Sequence, residues 1–395
     1  MAQYSDVAAP AVNAPAPVRD SGKAPAGRLI GLDLARGLAV FGMYAAHVGP
    51  DPEQGGVTGF LMELAHGRSS ALFAFLAGFA VVLITGRGAP KTGSAGRQAQ
   101  AKIVIRAAIL LGLGTWLTVS GTPVDVILAF YGLYFLLVLP LYRLGPGPLA
   151  AIAAGTALVL PQVLYVVQQT IGDDVRAPGE ADGLVSLLFT GAYPALSWVP
   201  FVIAGMAVAR LDLASTVVRA RLAVTGTTLM VIGYGGSWLA LHLPGVADAI
   251  GASAGAGDGT SMWWSDTSGS PSGDTPAWLL AASPHSETTL SIVGNTGVVI
   301  LVVAVCLAAV DALPRLRTLA RPVIAVGSMS LSAYVFHLFA IRSLGIEELP
   351  GSPLHVLVGF ILAAMAFATL WSRFQRRGPL EWLMTKATGL ARYIR

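Results

Sequence analysis

Blocks of about 20 mostly apolar residues recur along the chain, and they constrain its fold more than any other feature. A helix of that length crosses the roughly 30 Å hydrocarbon core of a bilayer, whereas a strand of a membrane β-barrel needs only about ten residues. The composition agrees, because 54% of the residues are hydrophobic and only 12% are charged. The sequence therefore predicts an all-α fold, a polytopic bundle of transmembrane helices.

Ten spans fit the sequence, and the charges between them give an orientation. The predicted spans cover about 29–49, 69–86, 103–119, 125–142, 147–168, 186–209, 222–243, 289–312, 322–343 and 354–372. All but three of the 25 Lys and Arg residues fall on one side, the exceptions being Arg68, Arg176 and Arg342. Because cytoplasmic segments collect positive charge, we predict that both termini are cytoplasmic. The net charge of +4 reflects this topology and indicates no nucleic-acid partner.

The chain divides into three predicted segments. Residues 1–27 are rich in Ala and Pro without an apolar run, which is typical of a disordered tail. Residues 28–372 form the predicted bundle. Residues 373–395 mix basic side chains with Trp382 and Tyr393, as a cationic amphipathic segment on an anionic inner leaflet does.

The first span, "GLDLARGLAVFGMYAAHVG", contains three side chains that are costly in a bilayer. At 100° per residue Asp33, Arg36 and His47 share one helix face. Asp33 and Arg36, one turn apart, can pair inside the bundle; alternatively Arg36 reaches the headgroups and Asp33 caps it. His47 lies about 21 Å from Asp33 along the same helix face, near the opposite side of the membrane.

Other polar residues are predicted at the depth of His47 on three further helices. They are His66, Arg68, Asp125, Tyr334 and His337. Ionisable groups inside a membrane usually mark a site or a pathway, although each histidine taken singly also fits a hydrogen-bonded core position. The spacing of His47, His66 and His337 fixes no metal geometry, and we expect no metal.

Several motifs carry a family resemblance. They are "GLDLARGLAVFGMYAAH", "SSALFAFLAGFAV", "DVILAFYGLYFLLV", "GSMSLSAYVFHL" and "GPLEWLM". In this order they resemble the YeiB-like bacterial membrane proteins, a family similar to the heparan-α-glucosaminide N-acetyltransferase group of transmembrane acyltransferases. The resemblance implies transfer of an acyl group, with acetyl as the expected group, from cytosolic acyl-CoA to a hydroxyl or amine acceptor on the far side of the membrane. A sugar or another envelope component is the expected acceptor. The resemblance also implies a location in the bacterial plasma membrane. It also implies a homodimer.

Two positions depart from the family pattern. Both branches usually show an Asn near the outer end of the first span, where this chain has His47. The acetyltransferase branch uses a histidine in the following connection, and His66 is the nearest candidate here.

The predicted roles follow from thioester chemistry. An attacking hydroxyl or amine needs a base of near-neutral pKa, so His47 or His66 is the predicted base, with His337 as a further catalytic candidate. Donors to the oxyanion and contacts to the acceptor are expected from Arg68, Asp125, Ser330 and Tyr334. Arg36 with Asp33, Lys102 and Arg106 are the candidates for holding acyl-CoA, although the positive-inside rule explains the same charges. Direct transfer and a covalent acyl-histidine relay both fit.

A transporter or permease of a small polar or lipid-linked substrate is the alternative function. It also needs polar residues inside a helical bundle, and "GAYPALSWVPF" provides the broken stretch that such proteins use. The two halves of the chain show no convincing repeat, which favours the enzyme. Dependence of product formation on acyl-CoA separates the two functions.

Overall fold

The computed structural model describes residues 29–170, 183–254, 259–265, 275–347 and 349–394. Within these ranges the chain is helical and contains no strand, which confirms the predicted all-α class. The tail predicted for residues 1–27 lies outside the described residues. The α-helices are α1 (Ile30–Val48), α2 (Gly56–Glu63), α3 (Arg68–Thr85), α4 (Gly93–Val119), α5 (Leu128–Val138), α6 (Pro146–Thr170), α7 (Ala195–Ala209), α8 (Thr216–Met230), α9 (Gly236–Leu241), α10 (Val246–Ala254), α11 (Thr289–Ala312), α12 (Pro314–Leu319), α13 (Arg321–Ser328), α14 (Ser330–Leu344), α15 (Leu354–Phe374) and α16 (Pro379–Thr388).

Six helical stretches are long and apolar enough to cross a membrane. They are Gly56–Thr85, Gly93–Val119, Pro146–Thr170, Thr216–Leu241, Thr289–Ala312 and Leu354–Phe374. The number becomes seven if α13 and α14, which meet at an angle of 88°, are counted as one broken span. Two shorter apolar helices, Leu128–Arg143 and Ala195–Ala209, lie at two other predicted positions. The chain is therefore a multi-pass helical membrane protein.

Helix α1 lies at the centre of the bundle. It contacts α3, α11, α13, α14 and α15, and most of its residues are buried. The helices α4, α6, α8 and α15 lie farther out and leave most of their apolar surface exposed. Such outward apolar surface is what a lipid-facing helix presents, because hydrocarbon tails solvate it.

The crossing of α1 and α13 depends on two glycines. A Cβ on Gly327 would lie 1.7 Å from the carbonyl oxygen of Asp33, and a Cβ on Gly37 would lie 2.3 Å from that of Val323. Only glycine lets the two backbones come this close. The contact fixes α13 against the Asp33 end of α1, beside the break that precedes α14.

Candidate functional site

A cavity of about 840 Å³ opens at the His47 end of α1. We call it the histidine cavity. Its walls come from α1, α3, α6 and the loops that precede α5, α7 and α11. The lining side chains that can take part in acid–base chemistry are His47, His66, Asp125, Tyr165, Tyr193, His285 and Glu287. The structure thus brings three of the predicted residues, His47, His66 and Asp125, to one cavity.

His47 and His337 form a hydrogen-bonded pair at the edge of this cavity. His47 Nδ1 lies 3.0 Å from His337 Nε2, and the two ring planes are inclined by 17° with their centroids 5.2 Å apart. His337 is only 2% exposed and lines an apolar crevice of about 490 Å³ between α14 and α15. His47 is therefore the member of the pair that faces the polar cavity.

The hydrogen-bond network assigns the tautomers of this pair. His337 Nδ1 lies against the carbonyl oxygen of Tyr334, which can only accept, so Nδ1 carries the proton. In neutral His337, Nε2 is then an acceptor, and His47 Nδ1 donates to it. Neutral His47 keeps an unprotonated Nε2, which is the atom that a general base uses.

A second cavity, of about 400 Å³, lies at the other end of α1. We call it the arginine cavity, because three guanidinium groups line it: Arg36 from α1, Arg106 from α4 and Arg377 from the loop before α16. Ser328 and Ser330, on either side of the α13–α14 break, also line it. Arg36 and His47 are separated by about 17 Å along α1.

A thin wall separates the two cavities. Tyr334 and Tyr131 line the arginine cavity. The backbone N–H of Ile127 donates to the Tyr334 hydroxyl oxygen at 3.2 Å, and the Tyr131 hydroxyl donates to the carbonyl oxygen of Ser70 at 3.3 Å. Ser70 lines the histidine cavity, as does Val126, the neighbour of Ile127. The cavities therefore meet across two tyrosine side chains and the start of α5.

The predicted Asp33–Arg36 pair forms. Arg36 donates to the Asp33 carboxylate at 3.1 Å, and Asp33 is buried whereas Arg36 faces the arginine cavity. Arg106, a candidate for holding acyl-CoA, and Ser330, a candidate for contacting the oxyanion or the acceptor, line the same cavity. Lys102, one turn before Arg106 on α4, does not line it among the described residues.

Arg68 faces away from both cavities. Its guanidinium donates to the carbonyl oxygens of Glu63, His66 and Trp264 and to the Tyr234 hydroxyl. Tyr234 in turn donates to Asn295 at 2.8 Å. These contacts tie the start of α3 to the loop at 259–265 and to α11, so Arg68 acts as an anchor in this structure.

The loop before α11 contributes two residues that sequence reasoning did not select. His285 and Glu287 line the histidine cavity, and both have left-handed backbone torsions, with φ of 57° and 58°. Non-glycine residues adopt this conformation rarely, at a cost of about 1–3 kcal/mol, and it often occurs at functional sites. The sequence signal, "SPHSE" in a polar connection, resembles an ordinary loop, and only the fold brings it to His47.

Glu287 is held by two neutral donors from α7. The Ser197 hydroxyl donates to it at 2.8 Å and the Trp198 indole N–H at 2.9 Å. Burial disfavours the charged carboxylate and raises the pKa of Glu287 to about 8, although the two hydrogen bonds oppose this shift. The loop therefore adds a carboxyl group that titrates near neutral pH to the histidine cavity.

No group of three or more His, Cys, Asp or Glu side chains suited to a metal ion occurs among the described residues.

The fold and the cavities define a multi-pass membrane protein with a histidine site at one end and a cationic site at the other.

Comparison with known families gives the class of this protein. Residues 28–237 match the family described as heparan-alpha-glucosaminide N-acetyltransferase, catalytic, and the chain belongs to that family. Residues 274–391 match the family described as protein of unknown function (DUF418), which is the YeiB-like family. The resemblance drawn from the motifs is confirmed. No curated protein and no solved structure matches the chain significantly.

The two matches divide the candidate site between them. His47, His66 and Arg106 lie in the acetyltransferase match, whereas Tyr334 and His337 lie in the other. The His47–His337 hydrogen bond therefore joins the two matched regions. Family membership indicates a membrane transferase of the acyltransferase kind.

Proposed function

We propose that this protein is an integral membrane acyltransferase. It moves an acyl group, acetyl in the first instance, from cytosolic acyl-CoA to a hydroxyl or amine acceptor, such as a sugar or envelope component, on the far side of the membrane. The observation that carries the proposal is the arrangement of two cavities across one thin wall, a histidine cavity and an arginine cavity. A transferase with reactants on opposite sides needs a cationic pocket for the CoA phosphates and a base beside the acceptor.

His47 is the proposed general base. Its Nε2 takes the proton of the acceptor O–H or N–H as the acceptor atom bonds to the thioester carbonyl carbon. The C–S bond then breaks, and the leaving CoA thiolate takes the proton from His47. His337 supports the cycle, because His47 Nδ1 keeps donating to His337 Nε2 in both protonation states. His66, in the same cavity, is the second candidate.

The tetrahedral oxyanion needs a donor that is already in place. Tyr334 fits this role, because its oxygen accepts from Ile127 N–H and its own hydroxyl proton stays available to donate. Ser330 is the second donor on that side of the wall. Asp125 faces the acceptor side and is proposed as an acceptor contact. The acyl group then reaches the acceptor at the wall near Tyr334, either directly or through an acyl-imidazole on a histidine.

The arginine cavity is the proposed donor site. Arg36 and Arg106 supply hydrogen-bond donors suited to phosphate oxygens, and Asp33 fixes the orientation of Arg36. Lys102, one turn before Arg106 on α4, is proposed to add positive charge near this site. The reaction as proposed involves no metal.

The proposed topology has ten spans and cytoplasmic termini in a bacterial plasma membrane. It places the arginine cavity on the cytosolic side, where acyl-CoA is available, and the histidine cavity on the far side. The positive-inside distribution of Lys and Arg supports this orientation. Residues 1–27 form a cytoplasmic tail, 28–372 the bundle and 373–395 a cationic segment at the inner face. A homodimer is proposed from the family resemblance.

Radiolabelled acetyl-CoA tests the function on the purified protein in nanodiscs. We expect saturable binding and slow thioester hydrolysis, in which water replaces the acceptor. His47→Ala should lower hydrolysis by about 100-fold or more while binding persists, because only proton transfer is removed. His66→Ala tests the second candidate, and His355→Ala, an exposed histidine at the start of α15, is the control. Acid quenching that traps label on the protein would identify the acyl-histidine route.

Absence of binding across acetyl-CoA and longer acyl-CoAs would contradict the enzyme function. The transporter would then account better for the polar residues inside the bundle. Equal hydrolysis by wild type, His47→Ala and His66→Ala would leave the enzyme without either proposed base.

A further inference from the structure

The C-terminal segment forms part of the arginine cavity. Helix α16 packs against α4 and α14, and Arg377, Glu381, Met384 and Thr385 line the cavity together with residues of the bundle. The sequence motif "GPLEWLM" begins directly after Arg377. A segment that looks peripheral in the sequence therefore forms a wall of an internal cavity.

Glu381 holds this wall in position. Its Oε1 accepts from the backbone N–H groups of Leu331 at 2.8 Å and Ser332 at 3.2 Å, and its Oε2 accepts from the Ser332 hydroxyl at 2.6 Å. These donors belong to the first turn of α14, where the helix dipole favours a negative charge. The Ser332 hydroxyl oxygen also accepts from Leu380 N–H at 3.0 Å. The carboxylate of Glu381 is thus engaged by α14.

The remaining charge in the cavity is positive. Arg36 pairs with Asp33, but neither Arg106 nor Arg377 forms an ion pair within the described part of the chain. The Nε atom of Arg106 is buried and has no hydrogen-bond partner among those residues. An unsatisfied guanidinium donor away from water is costly, and an anion bound between the two arginines removes that cost.

The geometry points to a phosphate-binding site that the C-terminal segment completes. In this site Arg106 and Arg377 hold a phosphate of the acyl donor, a soluble thioester that carries a nucleotide. This inference rests on the proposed function for the identity of the donor. Arg377 adds a binding residue from outside the region of the acetyltransferase match. A lipid phosphate has the same chemistry, and the test separates the two sources.

The test compares ligands with and without phosphate on the full-length protein in phosphatidylcholine nanodiscs. The probes are acetyl-CoA, 3′,5′-ADP and acetyl-pantetheine, which lacks the nucleotide. Arg377→Gln should weaken binding of acetyl-CoA and 3′,5′-ADP by roughly 10- to 100-fold, because hydrogen bonds to a charged group are lost. Acetyl-pantetheine offers no phosphate to Arg377, so its binding should be equally weak in wild type and Arg377→Gln. Arg376→Gln and Arg373→Gln, exposed neighbours that do not line the cavity among the described residues, are matched controls.

Three other outcomes would contradict either the phosphate site or the proposed acyltransferase function. Equal binding of 3′,5′-ADP by wild type and Arg377→Gln overturns the site, whether or not acetyl-CoA is hydrolysed. Loss of bound phosphatidylglycerol from Arg377→Gln in native mass spectrometry, with nucleotide binding unchanged, assigns the cavity to a lipid headgroup and also overturns it. Arg377-dependent binding of 3′,5′-ADP without any thioester hydrolysis keeps the site and contradicts the proposed acyltransferase.

Discussion

His47 depends on a neighbouring residue for its proposed chemistry. The Tyr334 carbonyl fixes the tautomer of His337, and His337 fixes that of His47. His337→Phe keeps an aromatic ring at this buried position but removes the acceptor for His47 Nδ1. We expect thioester hydrolysis to fall by about 10²- to 10⁴-fold, because a wrongly oriented base loses most of its catalytic effect.

Steady-state hydrolysis of acetyl-CoA measures this effect, with binding measured in parallel. Phe336→Leu, a partly exposed neighbour on α14, is the control for packing near the crevice. Wild-type hydrolysis in His337→Phe would mean that His47 needs no partner.

The raised pKa of Glu287 predicts that the stability of the protein depends on pH. Its pKa is raised from 4.5 to about 8 in the folded protein, so the folded state holds a proton that the unfolded state has lost between these values. The contribution of Glu287 to stability is therefore fully present at low pH and declines as the pH rises towards about 8. Glu287→Gln cannot ionise, and its stability should decline less over that range.

Thermal unfolding of the two proteins between about pH 5 and pH 9 measures the difference. Glu53→Gln, an exposed carboxylate in the connection after α1, is the control. Parallel curves for wild type and Glu287→Gln would show that Glu287 titrates alike in both states.

Sequence periodicity predicts residues that lie on helices better than those on loops. His47 carries a sequence signal because costly side chains recur on one face of α1, and it lines the histidine cavity. His285 and Glu287 carry no such signal, because polar residues are costly inside the hydrocarbon of a bilayer but common in the connections between helices. Arg68 has the sequence signal of a charge inside the membrane, but its guanidinium donates to backbone carbonyl oxygens.

At the scale of the helices, the α1–α13 contact predicts that alanine substitution at two glycines has different effects on stability. Gly327→Ala places a methyl group against the Asp33 carbonyl, so α13 must move away from α1. We expect a loss of about 1–3 kcal/mol or more in stability, the usual cost of overpacking. Gly112→Ala on α4 meets no neighbouring atom within 4 Å and should be neutral or slightly stabilising.

Thermal unfolding in the same detergent compares the two variants. A melting temperature for Gly327→Ala equal to that of Gly112→Ala would mean that α13 is not held closely against α1.

The break between α13 and α14 shows what local patterns cannot predict. The sequence predicts one span over 322–343, whereas the structure has two helices at 88°. The N–H groups freed at the start of α14 are satisfied by Glu381, about 50 positions later in the chain. Apolar periodicity continues through such a break, because the compensating carboxylate lies in a different element.

At the scale of the whole molecule, the arrangement of cavities has meaning only with an orientation in the membrane. The proposed topology puts the connection between α1 and α2 outside the cell and the connection between α3 and α4 inside. Helix positions were predictable from hydropathy, because lipid requires long apolar segments. The cavities were not, since they form between helices that are distant in sequence.

Single-cysteine labelling tests this orientation. Cys306 is buried, so Cys306→Ser gives a cysteine-free background without opening a surface site. In that background, Glu53→Cys should react with a membrane-impermeant maleimide on intact cells, because it is exposed in the connection after α1. Ser94→Cys, exposed at the start of α4, should react only after permeabilisation. The reverse pattern would put the arginine cavity outside the cell, where cytosolic acyl-CoA cannot reach it, and would contradict the proposed direction of transfer.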